Sequence, residues 1–201
     1  WGCYEAALLE GSLSPTARQV IKIDSQYLLD QGVKGAGAAG SVAWPDSRFR
    51  SGLVMGAVQS GKTASMLGLA AMSLDTGVDI VVVLAGTRIA LWRQTYERLS
   101  EQLFAQKRGL LLPDPARMLK GEGDLGTPQS LFNLSTARVS RALREREPLV
   151  LVVMKHGQHI RAAAKMLHER AYRNLDALGR PLHILVLDDE ADDGSILDAS
   201  V

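Results

Sequence analysis

The chain has 201 residues, 46% of them apolar, which is enough for one sizeable α/β core or for one domain with an appendage. Its longest apolar runs are far shorter than the ~20 residues of a membrane-spanning helix, and its start lacks a basic-then-apolar signal pattern, so we expect a cytoplasmic protein without a membrane partner. The balance of 23 basic against 22 acidic residues leaves nucleic-acid binding open, and the single cysteine, Cys3, excludes an internal disulfide and a cysteine zinc site.

Residues 1–43 are expected to form a small helical lead-in followed by a glycine-rich loop. Apolar side chains at Val20, Ile23 and Tyr27 recur with helical spacing, and the pair Ser14-Pro15 is typical of a helix start. The segment 32–41 contains four glycines and no apolar period, which predicts a flexible loop. We assign the remaining residues, 44–201, to one larger domain.

Short apolar runs from residue 53 onward predict strands that are buried on both faces of a mostly parallel sheet. These runs are Leu53–Met55, Ile80–Ala85, Leu149–Met154 and His183–Leu187. Helical stretches separate them, at 64–76 before Gly77, at 89–106, and at 160–178 before Gly179. The expected fold class is therefore α/β, with helices flanking the sheet and ligands at the carboxyl ends of the strands.

The segment from Gly56 to Thr63 reads GAVQSGKT and fits the pattern G-x-x-x-x-G-K-[ST], between an apolar run and a helical stretch as in a P-loop. In such a loop the backbone N–H groups point at phosphate oxygens, the lysine reaches the β and γ phosphates, and the hydroxyl ligates magnesium. A glycine-rich turn before a helix, without a ligand, is the structural alternative. We expect a nucleotide and Mg²⁺ to be held by Gly56, Gln59, Ser60, Gly61, Lys62 and Thr63.

A cluster of carboxylates follows the last apolar run, in the sequence Asp188-Asp189-Glu190-Ala191-Asp192. Magnesium on the β and γ phosphates needs an acidic anchor, and the attacking water needs a base or positioning group. Asp188 and Asp189 directly follow the apolar run, whereas the four residues from Asp189 spell DEAD. We favour Asp189 as the magnesium anchor and Glu190 as the group that activates water, with Lys62 as the third catalytic residue. A solvated acidic loop is the alternative.

The sequence leaves the roles of two further groups of residues open. Thr87 and Arg88 follow the second apolar run, and Gln94 and Thr95 lie shortly after them, so they either approach a phosphate backbone or belong to an ordinary strand-to-helix turn. A basic stretch either lines a nucleic-acid path or forms a solvated helix face. Its members are Lys155, His156, His159, Arg161, Lys165, His168, Arg170 and Arg173. His156 and His159 have the spacing of a weak metal pair, but without a third ligand we favour basic or buried histidines.

Four segments, GAVQSGKT, LAGTRIALWRQTYERL, LVVMKH and VLDDEAD, occur in the order found in the first ATPase half of the bacterial Z-one domain family, which residues 44–201 resemble. That family is often labelled as endonucleases and looks like a branch of the superfamily II helicases. The resemblance implies a RecA-like P-loop fold, adenine as the base of the nucleotide, DNA as a partner, and a role in restriction, repair or phage defence.

The resemblance also implies roles for individual residues. Lys62 and Thr63 fall in motif I, and Asp189 and Glu190 fall in motif II. The positions where helicases touch a nucleic-acid backbone are Thr87, Arg88, Gln94 and Thr95. A second RecA-like half, which carries an arginine finger in such motors, and a nuclease or other effector are the implied partners.

These expectations combine into a DNA-dependent ATPase or translocase subunit that uses ATP and Mg²⁺. The alternative is an assembly module in which ATP binding orders the chain and recruits a nuclease or other effector without translocation. The least favoured hypothesis is that the chain itself cuts DNA. A metal-dependent nuclease needs a set of carboxylates and a lysine, and the sequence does not allow such a set to be identified.

Overall fold

A computed structural model of the chain describes residues 1–11, 13–41, 43–44, 49–55, 61–104 and 135–189. The chain divides into two compact units, Trp1–Gly77 with Glu101–Gln106, and Val78–Ser100 with Lys107–Val201. The first unit extends past residue 43, and the expected boundary between a lead-in and an ATPase domain stays a prediction. Within the described ranges, no helix is long and apolar enough to cross a membrane.

The described residues of the first unit include the α-helices α1 (Gly2–Glu10), α2 (Pro15–Tyr27) and α3 (Lys62–Asp75). The predicted start of α2 is confirmed, since the Ser14 hydroxyl accepts a hydrogen bond from the Ala17 amide at 3.2 Å and Pro15 is the first helical residue. Helix α2 packs on α3, with Ser25 of α2 against Ser65 and Gly68 of α3. Buried residues of the two helices include Ile21, Ser25, Leu67, Ala70 and Ala71.

The glycine-rich segment is more regular than its composition predicts. A π-helical turn at Leu28–Lys34 continues α2, and a short 3-10 helix follows at Ala36–Ala38. The Asp30 carboxylate accepts hydrogen bonds from the Gln26 side chain at 2.9 Å and from the Gly40 amide at 3.1 Å. Helical turns therefore occupy part of the segment 32–41, which was predicted as a loop, and the predicted flexibility stays a prediction.

The prediction of a strand at Leu53–Met55 was wrong. These residues have no regular secondary structure, and their side chains are 75%, 53% and 84% exposed. An apolar run favours a strand only where a neighbouring strand is available for backbone pairing, and the described residues show no such pairing for this run.

The second unit contains a parallel sheet of three strands, β1 (Ile80–Ala85), β2 (Leu149–Met154) and β3 (Ile184–Asp188), in the order β2-β1-β3. These strands confirm three of the predicted runs and the α/β class. All of β2 and nearly all of β1 are buried, as expected. Strand β3 differs, since Ile184 and Val186 are 43% and 56% exposed. It pairs with β1 along one edge, and one of its faces stays open to solvent in the described part of the chain.

The α-helices described in this unit are α4 (Ile89–Leu99), α5 (Thr136–Glu145), α6 (Gly157–Met166) and α7 (Leu175–Leu178), and the first three of them flank β2. Helix α4 packs on β1 and β2, where the Trp92 indole N–H donates to the Val152 carbonyl at 2.8 Å. The predicted helix over 89–106 is regular only to Leu99, and a π-helical turn continues it at Ser100–Phe104. The predicted 160–178 helix begins at Gly157 and is interrupted by a π-helical turn and a 3-10 turn, at Leu167–Ala171 and Tyr172–Asn174.

The amino ends of β1 and β3 are held side by side by the Asp79 carboxyl group, the Arg180 guanidinium and the His183 amide, which we call the clasp. The Asp79 carboxylate, 6% exposed, accepts two hydrogen bonds from the Arg180 guanidinium, at 2.7 and 3.0 Å, and one from the His183 amide at 3.0 Å. The bonds to Asp79 raise the pKa of the Arg180 guanidinium above its usual value. The clasp therefore joins the buried Asp79 carboxyl group to Arg180 and to the His183 amide.

Candidate functional site

The described part of the predicted P-loop is the start of α3. Gly61 caps this helix with φ of 82° and ψ of 18°, the left-handed conformation that glycine adopts most readily. Lys62 and Thr63 are the first two helical residues, Lys62 exposed and Thr63 half-buried. The other predicted nucleotide contacts, Gly56, Gln59 and Ser60, lie outside the described residues. A glycine turn that leads into a helix amino terminus is the arrangement that binds phosphate oxygens.

Two hydroxyl groups hold the first turn of α3 in place. The Tyr4 hydroxyl donates to the Ala64 carbonyl at 2.7 Å, and the Ser25 hydroxyl lies 3.2 Å from the Ser65 carbonyl and 2.6 Å from the Ile21 carbonyl. Burial raises the pKa of Tyr4, so the phenol stays neutral and remains a donor. The turn that carries Lys62 and Thr63 is therefore fixed from α1 and α2.

In the second unit, the carboxyl ends of the three strands are connected through β1. The Lys155 amide, just after β2, donates to the Gly86 carbonyl at 2.9 Å, and the Asp189 amide, just after β3, donates to the Leu84 carbonyl at 3.1 Å. Gly86 has φ of 43°, and a Cβ atom there would lie 2.7 Å from Cβ of Leu91. Only glycine fits this turn, which directs the chain from β1 into α4.

An ion pair joins the ends of β2 and β3. The Lys155 ammonium lies 2.7 Å from Oδ1 of Asp188, and the two side chains are 1% and 29% exposed. In the sequence, Lys155 belongs to the basic stretch that either lines a nucleic-acid path or forms a solvated helix face. In the structure, the Lys155 side chain is buried. The sequence shows a charged residue at the end of each of two apolar runs, but it does not show that these two residues are neighbours.

The remaining residues of the acidic cluster and the histidine pair are placed as follows. Asp189 is half-buried directly after β3, and Glu190, Ala191 and Asp192 lie outside the described residues. The rings of His156 and His159 pack edge to face with centroids 5.4 Å apart. No group of three or more His, Cys, Asp or Glu side chains in the described ranges has the arrangement of a metal site.

The predicted nucleic-acid contacts fall into exposed and buried residues. Thr87, Arg88 and Gln94 are exposed at the end of β1 and on α4, whereas Thr95 is 8% exposed and packs inside. The basic stretch is divided in the same way, with Lys155 and His159 buried. Its exposed members are Arg161, Lys165, His168 and Arg173.

No protein-family model, curated protein or solved structure matches this chain. The resemblance to the Z-one domain family therefore rests on four sequence segments and stays a prediction. The described geometry defines an α/β protein with a parallel sheet, a glycine-capped helix carrying Lys62 and Thr63, and carboxylates at a strand end.

Proposed function

We propose that this chain binds ATP with Mg²⁺ and hydrolyses it as the first RecA-like half of a helicase-like, DNA-dependent ATPase or translocase of a restriction, repair or phage-defence system. The observation that carries the proposal is the left-handed Gly61 directly before α3, at the position where G-x-x-x-x-G-K-[ST] passes from loop to helix. A glycine in this conformation supports phosphate binding, because the backbone can then turn its N–H groups toward one point.

Each residue of the proposed site has a distinct task. The Lys62 ammonium offsets charge on the β and γ phosphates, and the Thr63 hydroxyl offers an oxygen of the kind that Mg²⁺ prefers. A carboxylate after β3, assigned to Asp189, anchors the ion, and the Glu190 carboxylate accepts a hydrogen bond from the attacking water. Bound Mg²⁺ neutralises charge on the β and γ oxygens during phosphoryl transfer.

The proposed reaction is the attack of water on the γ phosphorus, with cleavage of the bond to the bridging oxygen and departure of ADP. The charge that develops on the phosphoryl oxygens is stabilised in related motors by an arginine from a second RecA-like half, worth on the order of 10³-fold or more in rate. Residues 1–201 on their own should therefore bind nucleotide well and hydrolyse it slowly.

The test is ATP turnover by the full-length protein, with and without single- and double-stranded DNA. We expect DNA to increase turnover in the wild type and Lys62→Ala to abolish it. Lys22→Ala is the matched control, because Lys22 is an exposed lysine of α2 that the proposal gives no role. Turnover that is the same with and without DNA would contradict the DNA-dependent ATPase.

A second candidate is an ATP-gated assembly module that recruits a nuclease or other effector. The burial of Lys155, His159 and Thr95 favours it, because these residues are withdrawn from the surface on which a nucleic-acid path was expected. A Glu190→Gln variant separates the two candidates. If it binds ATP and keeps full biological activity, hydrolysis is dispensable and the assembly module is the better description.

A further inference from the structure

The ion pair between Lys155 and Asp188 bears on which aspartate anchors the metal. We propose that Lys155 is a positioning residue, which engages Asp188 in a structural ion pair and so leaves Asp189 as the carboxylate that anchors Mg²⁺. This inference rests on the proposed function. It assigns roles to two consecutive aspartates that the sequence alone leaves ambiguous.

Burial of the Lys155 ammonium favours a close counterion, and Asp188 is one. The Lys155 side chain is 1% exposed, and a buried ammonium is strongly unfavourable unless a partner neutralises it. Oδ1 of Asp188 lies 2.7 Å from the ammonium, which is the distance of a charge-assisted hydrogen bond. Release of Asp188 to another ligand would leave Lys155 buried and less well compensated.

The backbone around the pair holds its two residues near each other. Lys155 follows β2 and Asp188 ends β3, so the ion pair crosses the end of β1, which lies between them. The Lys155 amide donates to the carbonyl of Gly86, directly after β1, at 2.9 Å, and the Asp189 amide donates to the Leu84 carbonyl of β1 at 3.1 Å. The backbones of the two strand ends are thus held on either side of β1, which keeps Lys155 and Asp188 within reach of each other.

Electrostatics gives the same assignment. A divalent cation on the Asp188 carboxylate would lie close to the Lys155 ammonium, and the two like charges would repel. Asp189 is the next carboxylate along the chain and is half-buried directly after the strand. It is therefore the described carboxylate at this strand end that can offer its charge to a cation.

The ion pair is tested by a double-mutant cycle on the unfolding of the full chain, without nucleotide. We expect Asp188→Asn alone to lower the folding equilibrium constant by about a hundredfold, because it removes the carboxylate charge 2.7 Å from a buried ammonium. Lys155→Met combined with Asp188→Asn should recover most of the loss. The exposed Arg141–Glu145 pair, 2.9 Å apart on α5, is the control and should couple by about twofold at most. Additive effects of Lys155→Met and Asp188→Asn would overturn the positioning role.

The metal assignment is tested by the affinity of the same proteins for ADP, measured with Mg²⁺ and again with EDTA. Asp189→Asn should remove most of the wild-type ratio between the two conditions, and the Lys155→Met/Asp188→Asn variant should keep that ratio within about twofold. The reverse pattern would make Asp188 the anchor and overturn the assignment. If the wild type binds no nucleotide, the proposed function fails and the metal assignment fails with it, while the unfolding cycle still decides the ion pair.

Discussion

Gly61 has a backbone conformation that residues with a side chain rarely adopt. Its φ is 82°, and the space around its missing Cβ is open, so substitution adds backbone strain without a clash. We expect Gly61→Ala to lower the free energy of unfolding by about 1–2 kcal/mol in urea, without nucleotide. Gly37→Ala is the control, since that glycine also has open space and has no positive φ. Equal stability of the two variants would contradict the left-handed turn before α3.

Asp79 is the residue whose loss should damage the second unit most. Its carboxylate is 6% exposed and holds the Arg180 guanidinium and the His183 amide. Replacement by alanine removes two hydrogen bonds from Arg180 and one from the His183 amide, so we expect Asp79→Ala to lower the free energy of unfolding by about 3 kcal/mol. Glu169→Ala, which removes an exposed partner 3.9 Å from Lys165, should cost less than about 0.5 kcal/mol. Similar midpoints for both variants in thermal or urea unfolding would argue against the clasp.

The contact between α2 and α3 depends on a glycine in the middle of α3. A Cβ atom on Gly68 would lie 2.2 Å from Oγ of Ser25 and 3.1 Å from its Cβ. The hydroxyl could rotate away only by giving up its hydrogen bonds, and the Cβ contact would remain. Gly68→Ala is therefore expected to destabilise the chain by about 1–3 kcal/mol, despite the higher helix propensity of alanine.

Gly157→Ala is the matched control for this packing prediction. Gly157 is the first residue of α6 and has nothing within 4 Å of its missing Cβ. Its replacement should be neutral or slightly stabilising, because alanine restricts the unfolded chain. Urea denaturation of both variants gives the comparison, and a stabilising Gly68→Ala would show that α2 and α3 lie further apart than described.

The π-helical turn after α2 should be sensitive to acid. The hydrogen bond from Gln26, followed by that from the Gly40 amide, lowers the pKa of Asp30 below its usual value. A lowered folded-state pKa gives stability that is present above about pH 4 and is lost as the pH falls through the folded value. Asp30→Asn should therefore flatten the loss of stability below about pH 4, and Gln26→Ala should flatten it in part. An unchanged pH profile of the urea midpoint in Asp30→Asn would contradict this interpretation.

The sequence predicted elements well where a local pattern determines them. Apolar runs located β1, β2 and β3, and the Ser14-Pro15 pair located the start of α2, because strand burial and helix capping depend on neighbouring residues. The run at Leu53–Met55 failed because a strand also needs a partner for its backbone, which a short run does not specify. The π-helical turns were missed, since composition does not distinguish them from α-helix.

For the molecule as a whole, sequence patterns located the candidate site but not all of its chemistry. Gly61, Lys62 and Thr63 could be predicted because the P-loop is a continuous segment with fixed spacing. The ion pair between Lys155 and Asp188 could not, because it joins residues that become neighbours only through the order β2-β1-β3. The burial of Thr95 was also missed, because the prediction used only the position of this residue after a strand.

The central claim is that Lys62 and its loop bind the phosphates of ATP, and direct binding tests it without requiring turnover. Isothermal titration of ATP with Mg²⁺ into the wild type, Lys62→Ala and the control Lys22→Ala is the measurement. We predict binding by the wild type and the control, and a loss of affinity of at least about tenfold in Lys62→Ala, because a charge-assisted contact to phosphate is removed. Equal affinity of all three proteins, or no heat of binding from the wild type, would contradict the account.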